Sequence, residues 1–220
     1  MLKYIILLFS ISLYSNSKGS LEDRKKNFDT RANQIINISI QYPSEKLATE
    51  IKALKDSQIS IDAKMRTGDK DNFKQELSNS EAKLKKLQRE FSAHLKETSK
   101  ELLDEYSLQS SSNKEKEKSE NKKLTVDEVS LKEKSTHYFN ISNTDFANGI
   151  KFERDSNLSY AIQLFKRSID FSILAFKTNK MNLPSRFDTS KKTSEDELKH
   201  LTPKEKIIES KENKLEPSKS

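Results

Sequence analysis

The 220-residue sequence has no cysteine, only three glycines and only four prolines. The absence of cysteine excludes a disulfide framework, a thiolate metal site and a cysteine nucleophile. So few glycines and prolines argue against sandwiches and barrels, which need many turns, and they leave no glycine-rich phosphate-binding loop. The sequence therefore predicts an all-α protein that is held by helix packing alone or is only partly folded.

Hydrophobic residues are also scarce, at 32% of the chain, whereas charged residues make up 34%. With a mean hydropathy of −0.88, the chain cannot bury one large core over its whole length. The 41 basic and 34 acidic residues give a net charge of +7, and both signs are interleaved. This pattern favours a solvated mixed-charge surface over nucleic-acid binding and leaves weak contact with anionic envelope polymers open.

The first 17 residues have the pattern of a signal peptide. Lys3 precedes an apolar run from Tyr4 to Tyr14, and Ser15 and Ser17 stand at the −3 and −1 places of a cleavage site. The run is shorter than the roughly 20 residues of a membrane-spanning helix. We expect export to the periplasm or cell envelope, or secretion; an uncleaved anchor and a buried N-terminal helix are the alternatives.

Three helices are predicted between residues 20 and 106. The first covers 20–42; its end also alternates like a strand, but no second strand candidate exists to pair with it. Pro43 ends it, Ser44 caps a second helix to Arg66, and Gly68 suits the following C-cap. The third helix, 70–106, carries a narrow apolar seam that predicts a coiled-coil arm or one leg of an antiparallel hairpin. The seam consists of Phe73, Leu77, Leu84, Leu87, Phe91, Leu95, Leu102 and Tyr106.

Two segments are predicted to be disordered. The stretch 107–123 contains a run from Ser110 to Lys123 without an apolar residue, which indicates a flexible linker or, as the alternative, a lone charged helix. The stretch 185–220 is mostly polar and charged, which indicates a tail with at most a short helix at 203–211.

Apolar residues return in the region 124–184. Thr125 is a candidate cap for one helix, Asn143 or Thr144 for a second that ends near Arg154, and 155–157 forms a turn. The next helix, 158–177, carries two apolar stripes, so it must be covered on two sides. The first stripe is Leu158, Ala161, Ile162, Phe165, Ile169, Ile173 and Phe176, and the second is Tyr160, Leu164, Phe171 and Leu174.

The segment 143–176 resembles a single tetratricopeptide (TPR) repeat, a helix–turn–helix of 34 residues. The resemblance rests on the spacing of Gly149, Phe152, Ala161, Ile162, Phe165 and Ile169. It implies that Gly149 and Ala161 let two helices approach while Phe152 and Phe165 fill the gap between them. Asp145 and Asn148 replace usual apolar residues, and no neighbouring repeat is found. An ordinary amphipathic hairpin is the alternative. Either hairpin would need a neighbouring helix or a partner to cover the second stripe.

No catalytic, cofactor-binding or metal-binding constellation is evident. His94, His137 and His200 lie far apart and outside any H-E-x-x-H motif. The sequence therefore predicts a non-enzymatic exported protein, a protein–protein interaction or scaffold module of the cell envelope. It would bind another protein or itself through helices, with no small-molecule substrate. The alternative is a secreted or surface factor that binds host or cell-wall polymers through its basic flexible segments.

Overall fold

The computed structural model describes residues 20–121, 123–185 and 187. Within them the chain is helical and contains no β-strand, as predicted, with five α-helices. These are α1 (Leu21–Gln41), α2 (Ala48–Arg66), α3 (Lys70–Ser119), α4 (Val126–Arg154) and α5 (Leu158–Thr178), with a short 3₁₀ turn at Glu45–Leu47. The predicted signal peptide and nearly all of the predicted tail lie outside the described residues. No helix in the described part is long and apolar enough to span a membrane.

The described residues fall into two compact units. Unit 1 contains 20–36 and 49–87, whereas unit 2 contains 37–48 and the described residues from 88 onward. Both α1 and α3 therefore contribute residues to each unit.

Unit 1 packs the first part of α1, most of α2 and the first part of α3. Gly68, with φ of +74°, lies in the turn between α2 and α3, where glycine has no Cβ to strain the backbone. Lys64 and Glu76 form an ion pair of 3.1 Å across this turn. The buried apolar side chains come from all three helices and are Phe28, Ala32, Ile35, Ile51, Leu54, Ile61, Phe73, Leu77, Leu84 and Leu87. Met65, near the end of α2, is 43% exposed and lies outside this core.

The prediction of a disordered linker at 107–123 is wrong as far as Ser119, because α3 continues to that residue. Lysine and glutamate are good helix formers even without apolar neighbours. Glu117 also forms an ion pair with Lys132 of α4, so the charged end of α3 is tied to another helix.

The prediction of a helix start at Asn143 or Thr144 is also wrong, because α4 is continuous from Val126 to Arg154. The Asn143 amide donates to the carbonyl oxygen of Phe139 at 3.1 Å, and the Thr144 hydroxyl donates to that of Asn140 at 2.9 Å. Both polar side chains are therefore satisfied within the helix and do not cap a new one.

The predicted bounds of α5 are confirmed to within a residue. The backbone N–H of Tyr160 donates to the Asn157 side chain, which caps the start of α5, and Asn179 follows its last turn. Ser156, in the turn before α5, has a φ of +62°. The hairpin of α4 and α5 is thus formed by the turn that the sequence predicts at 155–157.

Candidate interaction surface

Small side chains line the contact between α4 and α5. Ser135, Ser142 and Gly149 follow one another at intervals of seven residues on α4, so they share one face of that helix. The Ser135 hydroxyl donates to the carbonyl oxygen of Ala175, and the Ser142 hydroxyl donates to that of Ser168, each at 2.7 Å. The two antiparallel helices therefore approach closely enough for side chains of one to bond the backbone of the other.

At the turn end of this contact, the Phe165 ring packs on Gly149. Both residues are buried, and a Cβ added to Gly149 would lie only 2.6 Å from a ring carbon of Phe165. Ala161 is also fully buried. Phe152 is only half-buried and meets Tyr160 edge-on, with ring centroids 4.5 Å apart. Gly149, Ala161 and Phe165 are thus interior residues, whereas Phe152 lies at the edge of the hairpin.

The part of α3 that belongs to unit 2 covers one side of the hairpin. Hydroxyl groups of Ser99 and Ser168 lie 2.5 Å apart, and Ser168 lies 2.9 Å from Ser142. Tyr106 of α3 stacks on Phe139 of α4, with ring centroids 4.6 Å apart. These buried contacts supply the neighbouring helix that the apolar girth of α5 requires.

A further contact to α5 comes from the segment 37–48. The Tyr42 hydroxyl donates a short hydrogen bond to Asp170, whose other carboxylate oxygen accepts from Lys166 at 2.9 Å. Asp170 is only 9% exposed. The cluster satisfies a buried carboxylate on the polar strip of α5, which is the condition for burying a charge there.

The second apolar stripe of α5 is divided between interior and surface. Leu164 is buried, Phe171 and Leu174 are half-buried, and Tyr160 is 48% exposed. Of the four residues of this stripe, which were predicted to contact a partner or to pack against a neighbouring helix, Tyr160 is therefore the most accessible, and Leu164 belongs to the packed interior.

Three pairs of side chains bridge α4 and α5 along one edge of the hairpin. Their α4 members lie at intervals of seven residues and so share a face. The aromatic pairs at the two ends have ring centroids 6.1 Å and 4.5 Å apart, and an ion pair of 3.3 Å lies between them. We call this edge the outer face; its pairs are Tyr138–Phe171, Asp145–Arg167 and Phe152–Tyr160.

The two side chains of the ion pair in the outer face differ in how deeply they are buried. The Asp145 side chain is 8% exposed, whereas the Arg167 side chain is 53% exposed. Burial raises the pKa of Asp145, and the nearby Arg167 charge acts in the opposite direction. Oδ2 of Asp145 receives no hydrogen bond from any residue in the described ranges. The carboxylate is therefore desolvated without full compensation, which is costly for a buried charge.

A cavity of about 240 Å³ lies in unit 2, where α3, the first part of α4 and the end of α5 meet. Its carboxylates are already engaged: Glu117 pairs with Lys132, and Glu128 closes the capping box on Thr125. Within the described part of the chain, no three His, Asp or Glu side chains are grouped to hold a metal ion. The outer face is therefore the stronger candidate site.

Sequence reasoning identified half of the outer face. The stripe of α5 indicates Tyr160 and Phe171, and the repeat spacing indicates Phe152, whereas Tyr138 precedes the predicted helix start at residue 143 and so is not joined to the hairpin. The sequence shows Asp145 only as a departure from the TPR pattern, and it gives no reason to pair it with Arg167. The interval of seven from Tyr138 through Asp145 to Phe152 is the signal that would have joined them.

The chain matches no protein-family model, and comparisons with curated proteins and with solved structures found no similar protein.

Proposed function

We propose that this chain is an exported, non-enzymatic helical protein that serves as a protein–protein interaction or scaffold module of the cell envelope. In this proposal the packing of α3, α4 and α5 supplies a rigid support, and the outer face is the contact surface. The proposed export rests on the sequence of residues 1–17.

The observation that carries the proposal is the exposure of Tyr160 and Arg167 on a helix that is otherwise largely interior. Tyrosine and arginine are enriched at protein interfaces and dominate their binding energy. Tyr160 is 48% exposed and the Arg167 side chain 53% exposed. Both lie on a hairpin whose backbone is fixed by the small-residue contact, so a partner would meet a preorganised surface.

The polymer-binding alternative loses support from the fold. It requires basic flexible segments at 107–123 and 185–220, yet residues up to Ser119 belong to α3. The end of α3 also carries glutamates among its lysines, and one of them, Glu117, is paired with Lys132. A mixed-charge helix of this kind attracts an anionic polymer less than a basic flexible chain would.

Site-specific photo-crosslinking in the native host tests this proposal. A photoreactive amino acid replaces Tyr160 in one strain and Lys100, an exposed residue of α3, in the control strain. After irradiation, the cell envelope is fractionated and adducts are separated by size. We expect a discrete protein adduct from position 160 in the envelope fraction and none from position 100. Equal labelling from both positions, or an adduct confined to the cytoplasm, contradicts the proposal.

A further inference from the structure

Arg167 occupies the middle of the outer face, and its N–H groups make no hydrogen bond to the described residues. Its Nε lies 3.3 Å from Oδ2 of Asp145, yet that oxygen accepts no hydrogen bond within the described ranges. A guanidinium carries five N–H donors in a planar fork that matches a carboxylate. An acidic group is therefore the ligand that this position fits.

Apolar side chains lie on both sides of Arg167 along α5. Tyr160 precedes it by seven residues and Leu174 follows it by seven, so all three share one side of the helix. Each interval corresponds to about 10 Å along the axis. Tyr160 is 48% exposed, and Leu174 is half-buried. A helix lying along α5 would present its own side chains at the same repeat, which is the usual arrangement of a helix bound in a groove.

The charges near the Tyr160 end are mainly basic. Lys151 and Arg154, in the last turn of α4, are exposed and pair with no carboxylate among the described residues. Glu153 of the same turn is bound to Lys96 at 2.6 Å and does not neutralise them. Asp155 in the next turn offsets one of these charges. The local field therefore favours an acidic partner over a basic one.

We propose that the outer face, together with Leu174 on the same side of α5, binds an acidic amphipathic helix of another protein. A carboxylate of that helix pairs with Arg167, and apolar side chains about two turns to either side pack on Tyr160 and Leu174. This inference rests on the proposed function and adds the chemistry of the partner.

Peptide selection with the purified full-length chain tests the inference. A display library of random peptides is panned against the folded protein, and enriched peptides are synthesised with a fluorescent label for anisotropy titrations. We expect them to carry Asp or Glu between apolar residues at helical spacing. The Arg167→Gln variant should bind them about tenfold or more weakly, as expected for an interface arginine. Lys100→Gln, an equal loss of charge on α3, should bind them as the unaltered chain does. Circular dichroism checks that both variants are folded.

Other outcomes overturn the inference. Enrichment of basic or uncharged peptides, no enrichment, or unchanged binding to Arg167→Gln would each do so. Displacement of the peptides by polyglutamate at equal charge concentration would indicate general charge attraction. A concentration-dependent dimer that Arg167→Gln abolishes would assign the face to a second copy of this chain. If position 160 crosslinks a protein in cells but the selection shows no acidic preference, the partner chemistry is wrong and the proposed function stands.

Discussion

The absence of a side chain at Gly149 sets the distance between α4 and α5. The Phe165 ring occupies the place that a Cβ would take, with a ring carbon 2.6 Å from it. Phe165 is fully buried, so its ring cannot move aside without disturbing closely packed neighbours. The glycine is thus required for close approach rather than for an unusual backbone conformation.

The Gly149→Ala variant should therefore be less stable than the unaltered chain. Alanine gains up to about 1 kcal/mol of helix propensity over glycine, but overpacking of a buried site costs about 1–3 kcal/mol. We expect a net decrease in the free energy of unfolding, measured by urea denaturation. Asn148→Ala, an exposed neighbour on α4, is the control and should cause no loss. An increase in stability at position 149 would refute the close approach of the helices.

Asp145 should make stability depend on pH. Its pKa in the folded chain is raised by burial, so folding favours the protonated form. The stability that this preference contributes is present below the unfolded-state pKa of about 3.9. It is lost as the pH rises through the folded-state pKa. Asp145→Asn should thus be more stable than the unaltered chain at neutral pH, and the difference should shrink on acidification to about pH 4.

Urea denaturation at several pH values measures this difference. Asp104→Asn, which removes the charge of an exposed aspartate on α3, is the matched control for net charge. If Asp145→Asn is less stable than the unaltered chain at neutral pH, the Asp145–Arg167 pair contributes more than the burial of the carboxylate costs.

At the scale of the helices, two residues predicted as N-caps differ in whether their side chains make a capping hydrogen bond. The Thr125 hydroxyl accepts from the backbone N–H of Glu128, and the Glu128 side chain accepts from the backbone N–H of Thr125, which completes a capping box. Ser44 occupies the N-cap position of the 3₁₀ turn, but its side chain makes no capping hydrogen bond. A hydroxyl residue at the N-cap position therefore stabilises the start of α4 but not the start of the 3₁₀ turn.

Removing these two hydroxyl groups should lower the free energy of unfolding by different amounts. Thr125→Ala should lower the free energy of unfolding by about 1 kcal/mol, because it leaves an N-terminal N–H of α4 without its partner. Ser44→Ala should change it by a few tenths of a kcal/mol at most. Thermal and urea denaturation of both variants measures the difference. An equal loss in the two variants would contradict the assigned capping.

The helix positions were predictable because the spacing of apolar residues and the turn residues are signals that involve only residues close together in the sequence. The turn at 155–157 and the start of α5 follow from short-range signals, and both are confirmed. The length of α3 was not predictable from apolar spacing, because the charged run to Ser119 has helix propensity but no stripe. Asn143 and Thr144 are cap candidates in the sequence, but such side chains can instead donate a hydrogen bond to the carbonyl oxygen four residues earlier in a continuous helix.

At the scale of the whole molecule, contacts between distant residues lay beyond sequence reasoning. The apolar girth of α5 predicted that something must cover it, but not that Ser99 and Tyr106 of α3 would do so. The pairing of Asp145 with Arg167 depends on the register between α4 and α5. That register is set by the small-residue contact, in which the hydrogen bonds from Ser135 and Ser142 to the backbone of α5 are visible only in the packed structure. Tyr160 was predictable from the sequence because it belongs to the second apolar stripe of α5.

The most direct test of the central claim, that the outer face is a binding surface, combines crosslinking with one substitution. A photoreactive amino acid is placed at Gln163, an exposed residue between Tyr160 and Arg167 on α5, in the native host. The adduct is then quantified with and without Tyr160→Ser. We predict that the substitution lowers adduct yield by about tenfold or more, as for loss of an interface tyrosine, while the purified variant stays folded. An undiminished adduct in the Tyr160→Ser variant would contradict the claim.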